Sequence, residues 1–242
     1  MKTVLASFSL LAAAAMAQDL SGVIDLHAHC DPDTSARSVD AIDLAKLARE
    51  RGMRGIVLKN HQDPTASLAY VVRKEVPGIE VFGGIALMRN GVLLPEVQAV
   101  IAAIARHKLV LATGHSSAEE DLLLVSEARR AGVQQVVVTH AFVAPVSMSI
   151  PQMEQAAAAG AYLEFTYLAL IPPARSTIED YAAAIRAVGA EHCVITSDLG
   201  RAGDPLHPDG LLMFFRALLK QGFTQADIDR MSKINPARVL GL

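Results

Sequence analysis

Four apolar segments of this chain each end abruptly in a residue type that binds metals, and no other feature constrains the fold as much. Residues 22–29 end in His29, residues 109–115 in His115, residues 136–140 in His140 and residues 193–198 in Asp198. Each segment is short, rich in Val, Ile and Leu, and has the character of a buried strand. Helical stripes separate them, for example 38–51, where Val39, Ile42, Leu44, Ala45 and Leu47 share a face that Gly52 closes. Strands that alternate with helices build βα units and a parallel sheet. In a parallel barrel all strands open their C-terminal ends on one face, where catalytic groups collect.

The first segment carries two histidines on alternate positions. Residues i and i+2 of a strand face the same side, so His27 and His29 aim two imidazoles at one point. Two neutral imidazoles that converge are the beginning of a zinc-type site. The other strand ends add His115, which follows Gly114, then His140, and the carboxylate Asp198. His27, His29, His115, His140 and Asp198 are therefore the candidate metal ligands. Candidate substrate-binding residues surround them. Lys59 and His61 alternate on the strand at 55–61, and Glu164 lies with Tyr162 and Thr166 on the strand at 161–167. Glu164 is either an inward acid that needs a partner or an outward one paired to a helix. Arg201 and His207, with Asp209, fall on the loop expected after Asp198, and loops at such strand ends set substrate choice.

This constellation, in this order, resembles the amidohydrolase superfamily of metal-dependent hydrolases, and the ending at 235–242 is similar to that superfamily's last helix. The segments at 58–61 and 197–200 resemble a poorly characterised branch of small amidohydrolase-like proteins. The resemblance implies a TIM-type (β/α)8-like barrel. It also implies hydrolysis of an amide, lactone or ester bond of a small molecule by metal-activated water. Asp198 would be the general base and a ligand, and His140 a ligand or a group that polarises the substrate. The pattern contains seven strands where the resemblance implies eight. The shortfall lies between Leu87 and Leu109, so one βα unit around the fourth strand is missing or degraded. Either residues 92–94 form a short substitute strand or the barrel is open beside strand three, with unpaired edges that invite self-association. Bridging ligands of two-metal members often sit on that fourth strand. The expected cofactor is therefore one divalent metal, most simply Zn2+.

Composition sets the limits. At 242 residues and 52% hydrophobic the chain supports one sizeable core. A net charge of −3 with interspersed signs excludes a basic nucleic-acid face and a polybasic membrane surface. Residues 1–17 combine Lys2, an apolar run and a small-x-small ending, which reads as a secretory signal. The hydrolase domain is then 18–242, and the expected location is secreted or periplasmic. Cys30 and Cys193 fall at opposite ends of their strands, roughly 15 Å apart by strand rise, too far for a disulfide. Two rival classes remain. One is a catalytically inactive, barrel-derived binding or structural protein; the other is a metal-dependent nuclease of similar architecture, against which the acidic balance speaks.

Overall fold

The computed structural model describes residues 19–33, 36–60, 65–84 and 95–242. Seven strands alternate with helices along them: β1 (Ile24–Ala28), α1 (Ala41–Glu50), β2 (Gly55–Leu58), α2 (Ala66–Glu75), β3 (Glu80–Gly83), α3 (Pro95–Arg106), β4 (Val110–Ala112) and α4 (Ala118–Arg130). Then follow β5 (Gln135–Val138), α5 (Ile150–Ala158), β6 (Tyr162–Thr166), α6 (Ile178–Val188), β7 (Cys193–Thr196), α7 (His207–Lys220), α8 (Gln225–Asp229), a π-helical turn (Arg230–Ile234) and α9 (Asn235–Leu240).

Every strand pair is parallel, in two ladders of order β1-β2-β3 and β4-β5-β6-β7. The ladders meet where β1 runs beside β7. Just past the end of β7, the Asp198 N–H donates to the His27 carbonyl at 2.8 Å, and the His29 N–H donates to the Leu199 carbonyl at 2.9 Å. The wall therefore runs β3-β2-β1-β7-β6-β5-β4, with its two outer edges at β3 and β4. Among the described residues these two strands do not pair. The opening lies where the sequence is short of a strand. Residues 85–94, including the substitute strand expected at 92–94, are outside the described residues, as is the signal expected at 1–17.

Two apolar layers follow from strand alternation. Ile24, Leu26, Val57, Val137, Tyr162 and Val194 form an inner cluster, which Ala237 and Val239 of α9 cap from below. Val23, Ala28, Ile56, Leu58, Val136, Val138, Leu163, Phe165 and Ile195 face the helices in the outer core. Strands buried on both faces read as continuous apolar runs, which is why they stand out in the sequence. The helices are fixed at their starts by caps. Asp40 accepts the Ile42 and Asp43 N–H groups ahead of α1, and Ser117 with Glu120 closes a reciprocal capping box at α4. Asn235 ties α9 to the last strand, donating to the Ala190 and Cys193 carbonyls at 2.8 and 2.7 Å. Cys30 and Cys193 are both buried and free.

Candidate metal centre

The end of β1 departs from a regular ladder. Asp25 stands opposite Ile56 and Ala28 opposite Leu58, so three steps of β1 match two of β2. An extra residue of this kind re-aims side chains at a sheet edge or a site. The rings of His27 and His29 converge here, with Nε2 to Nε2 at 3.2 Å. Asp198 completes the group. Its Oδ1 lies 3.3 Å from each of these nitrogens, and its Oδ2 lies 3.6 Å from His140 Nε2. His27, His140 and Asp198 each offer a ligand atom within 4.8 Å of the others. All four side chains are buried.

Asp198 and His140 each sit two residues past a strand and hold a left-handed backbone, at φ 54° and 51°. Non-glycine residues rarely adopt this conformation, and strain of this kind gathers at functional sites. Gly200 shows why the segment after β7 lies so close to β1. At φ +138° it packs so tightly that a Cβ would sit 2.2 Å from the His29 carbonyl oxygen.

The electrostatics suit ligation. Burial, reinforced by the neighbouring His27, drives the His140 pKa down to about 2, so its ring is neutral at any ordinary pH. Glu164 contacts His27 on the far side of the ring, with both carboxylate oxygens 3.2 Å from Nδ1. Asp33, ion-paired to Arg37, lies 3.8 Å from His29 Nδ1. Asp25 is fully buried, and burial raises its pKa to about 7 against the hydrogen bonds that hold it. It accepts the His27 N–H at 3.0 Å, the Ser197 N–H at 3.1 Å and the Ser197 hydroxyl, and so stitches β1 to the segment after β7.

These distances fit a metal ion. Ligands about 2.0–2.1 Å from a tetrahedral ion stand roughly 3.3 Å from one another. The three separations among His27 Nε2, His29 Nε2 and Asp198 Oδ1 are 3.2, 3.3 and 3.3 Å. Two imidazole nitrogens and a carboxylate oxygen at such spacing, with carboxylates behind the imidazoles, form a donor set suited to zinc or a similar divalent cation.

The other residues singled out in the sequence fall in different places. His115 is exposed and stacks on His140, ring centroids 4.9 Å apart and planes inclined by 13°. His115 thus lies at the exposed edge of the ligand group, in ring contact with His140. Lys59 is half-buried one residue past β2, on the face of the inward Val57, and its charge is one cause of the low His140 pKa. His61 is outside the described residues.

The structure also places the three remaining substrate-binding candidates. Glu164 is inward, as one of the two readings had it, but it is buried behind His27 and bonded to protein groups. His207 is on no loop. It is the first residue of α7, which starts inside the expected loop because Pro208 is favourable in a first helical turn. Its buried Nε2–H donates to the His29 carbonyl at 3.0 Å, and burial lowers its pKa to about 4. Arg201 is exposed and pairs with Asp204 at 2.8 Å. Cys30 lies in the outer core, where burial pushes its thiol up to about 12. The sequence reading passed over Asp25, whose signal was an acid inside an apolar strand two residues before His27. It also passed over Ser197, which had no signal apart from its neighbour Asp198.

Among the described residues the strands form a seven-stranded parallel wall of TIM-barrel type, and comparison with solved structures gives the same fold. A triple mutant of an organophosphorus hydrolase from Deinococcus radiodurans aligns with a TM-score of 0.60 at 14% identity, over 82% of each chain. A protein described as a 2-pyrone-4,6-dicarboxylic acid hydrolase from Pseudomonas putida aligns with a TM-score of 0.60 at 14% identity, over 93% of this chain and 98% of that one. An enamidase described as a member of the amidohydrolase superfamily aligns with a TM-score of 0.57 at 14% identity, over 92% of this chain and 68% of that one. Within this architecture the chain belongs to a family of unknown function, DUF6282, whose model matches residues 22–90 and 87–164. No curated protein matches the sequence.

Proposed function

We propose that this protein is a metal-dependent hydrolase that acts on an amide, lactone or ester bond of a small molecule. The observation that carries the reading is the triangle of His27 Nε2, His29 Nε2 and Asp198 Oδ1, with edges of 3.2, 3.3 and 3.3 Å. These three atoms would hold one divalent metal, most simply Zn2+, with His140 beside them. A metal so held supplies Lewis acidity and brings the pKa of a coordinated water towards neutrality.

The chain's own groups divide the remaining work. Asp198 turns Oδ1 to the two imidazoles and Oδ2 to His140, which suits a carboxylate that takes up a proton from the attacking water and returns it to the leaving group. His140, held neutral by burial, donates a hydrogen bond to the reacting carbonyl without adding charge. Lys59 and His115 at the mouth are the groups placed to meet the substrate. The hydrolase fold of the structural neighbours supports the class and leaves the bond type to experiment.

Metal content tests the reading. The purified chain is expected to hold about one equivalent of zinc or a similar divalent ion, and the double variant His27→Ala with His29→Ala is expected to lose it. A panel of lactones, amides and esters then follows. A folded wild-type chain that takes up no metal after reconstitution overturns the hydrolase. Metal without turnover on any ester, lactone or amide favours the inactive barrel, for which the lack of β3–β4 pairing among the described residues is the structural argument.

A further inference from the structure

Glu164 is a buried carboxylate with three protein partners, His27, His140 and Thr196, and the reaction outlined above does not use it. We infer that Glu164 is the positioning residue of the metal centre, one carboxylate that sets the ring of His27 and the backbone of His140 together. The inference rests on the metal-dependent reading.

The first half of the argument concerns the side of the ring. An imidazole points its two nitrogens in divergent directions. Both Glu164 oxygens are 3.2 Å from Nδ1, whereas Nε2 is the atom that faces His29 and Asp198. Glu164 is thus behind the ligand, in a place where it cannot share the ion. A carboxylate against Nδ1 keeps the ring proton there, which leaves the Nε2 lone pair for the metal and makes that nitrogen more basic.

The second half concerns His140. Its left-handed backbone, at φ 51°, is a conformation that costs energy unless the surroundings hold it. The His140 N–H donates to Glu164 Oε2 at 3.2 Å, and this bond ties the turn after β5 to β6. The Thr196 hydroxyl donates to Oε1 at 3.2 Å and fixes the carboxylate from β7. One side chain on β6 therefore sets ligand nitrogens that come from β1 and from the end of β5. Among the described residues no lysine or arginine pairs with Glu164, so its charge is balanced by these donors and, through His27, by a cation on Nε2.

The test uses the full chain stripped of metal and Zn2+ as the probe, in competition with a chromophoric chelator. Glu164→Gln keeps the shape but removes the negative charge and replaces one of the two acceptor oxygens at His27 Nδ1 and the His140 amide with an NH2 donor. It is expected to bind Zn2+ roughly 10–100-fold more weakly than wild type, the usual loss for a second-sphere partner. Thr196→Val removes only the carboxylate's third donor and is expected to lose less. Melting of the metal-free proteins separates positioning from plain support. A structural role lowers the apo melting temperature and leaves the affinity of the folded protein unchanged, and that result overturns the inference. One further measurement needs no variant. Long-range 1H–15N spectra of apo wild type should show His27 protonated on Nδ1, and a proton on Nε2 overturns the inference as well. A wild type that binds Zn2+ tightly, with Glu164→Gln equally tight, sinks this inference alone. A wild type that binds none overturns the metal reading and this inference with it.

Discussion

Replacing Gly200 with alanine tests whether the closeness of β7's extension to β1 holds the site together. A Cβ at residue 200 would stand 2.2 Å from the His29 carbonyl oxygen, 2.8 Å from its carbonyl carbon and 2.9 Å from its Cβ. Real contacts of this kind begin near 3.0 Å, so the seam must open by about 1 Å. Two hydrogen bonds cross it at this point, His29 N–H to Leu199 O at 2.9 Å and Ser38 N–H to Gly200 O at 2.7 Å. Backbone strain at φ +138° costs about 1–3 kcal/mol for a residue with a side chain. Weakening both bonds adds about 1 kcal/mol each. The expected loss is about 3–5 kcal/mol, a large share of the roughly 5–15 kcal/mol that stabilises a domain. Gly203 is the control. It also has a positive φ, at +92°, but a Cβ there meets nothing within 4 Å. Gly203→Ala therefore carries the backbone strain without the contact, and should cost about 1–3 kcal/mol. Urea unfolding of both metal-free variants separates the two effects, and Zn2+ titration should show weaker binding for Gly200→Ala alone because His29 is displaced. Equal losses of stability in the two variants would refute the reasoning.

Two pH predictions follow from buried groups outside the ligand set. Burial raises Asp121 from 3.8 to about 6, opposed by the Ser116 hydroxyl that bonds it. A carboxyl with a raised folded pKa contributes stability that is full below 3.8 and is lost as pH rises through 6. Asp121→Asn should therefore gain about 3 kcal/mol on wild type between pH 4 and pH 7, and parallel stability profiles would count against the shift. His207 behaves in the opposite sense. Its folded pKa of about 4 lies below the free value of 6.5, so its contribution is full above 6.5 and is lost as pH falls to 4. The margin of wild type over His207→Gln should shrink by about 3 kcal/mol over that window in chemical unfolding experiments.

Much of the fold was legible because the strands are buried on both faces. Runs such as 136–138 and 193–196 are wholly apolar or nearly so, and the helices between them carry regular stripes. The ladders proved shorter than the apolar runs: of the strand expected at 55–61, Gly55–Leu58 form β2, Lys59 N–H still donates to the Ala28 carbonyl at 3.0 Å, and residue 61 lies outside the described residues. Helix α7 began early because Pro208, read as a loop residue, occupies the first turn that proline favours. The shortage of a strand was expected from spacing, and among the described residues the two ladders are joined only at the β1–β7 seam, which is consistent with a gap between strands three and four.

The site was legible to the depth of its ligand atoms and no further, for a physical reason. A strand of alternating period points its last residues at the mouth, so His27, His29, His140 and Asp198 could be placed from local pattern alone. What holds those residues acts across the sheet. Glu164 reaches His27 over 137 positions of sequence, and Asp25 reaches Ser197 over 172. No local pattern separates an inward acid that meets substrate from one that orients a ligand; the choice depends on which ring nitrogen it touches. The same limit governs His115, which shares the strand-end position of His140 and yet lies parallel to it, 4.9 Å away. Sequence position assigns both histidines to one ion, whereas the structure orients His140 with its Nε2 3.6 Å from Asp198 Oδ2. If that orientation governs binding, His115→Ala should leave the equivalent of zinc in place while His140→Ala weakens it, and metal analysis of the two variants would reverse the assignment if His115→Ala lost the ion first.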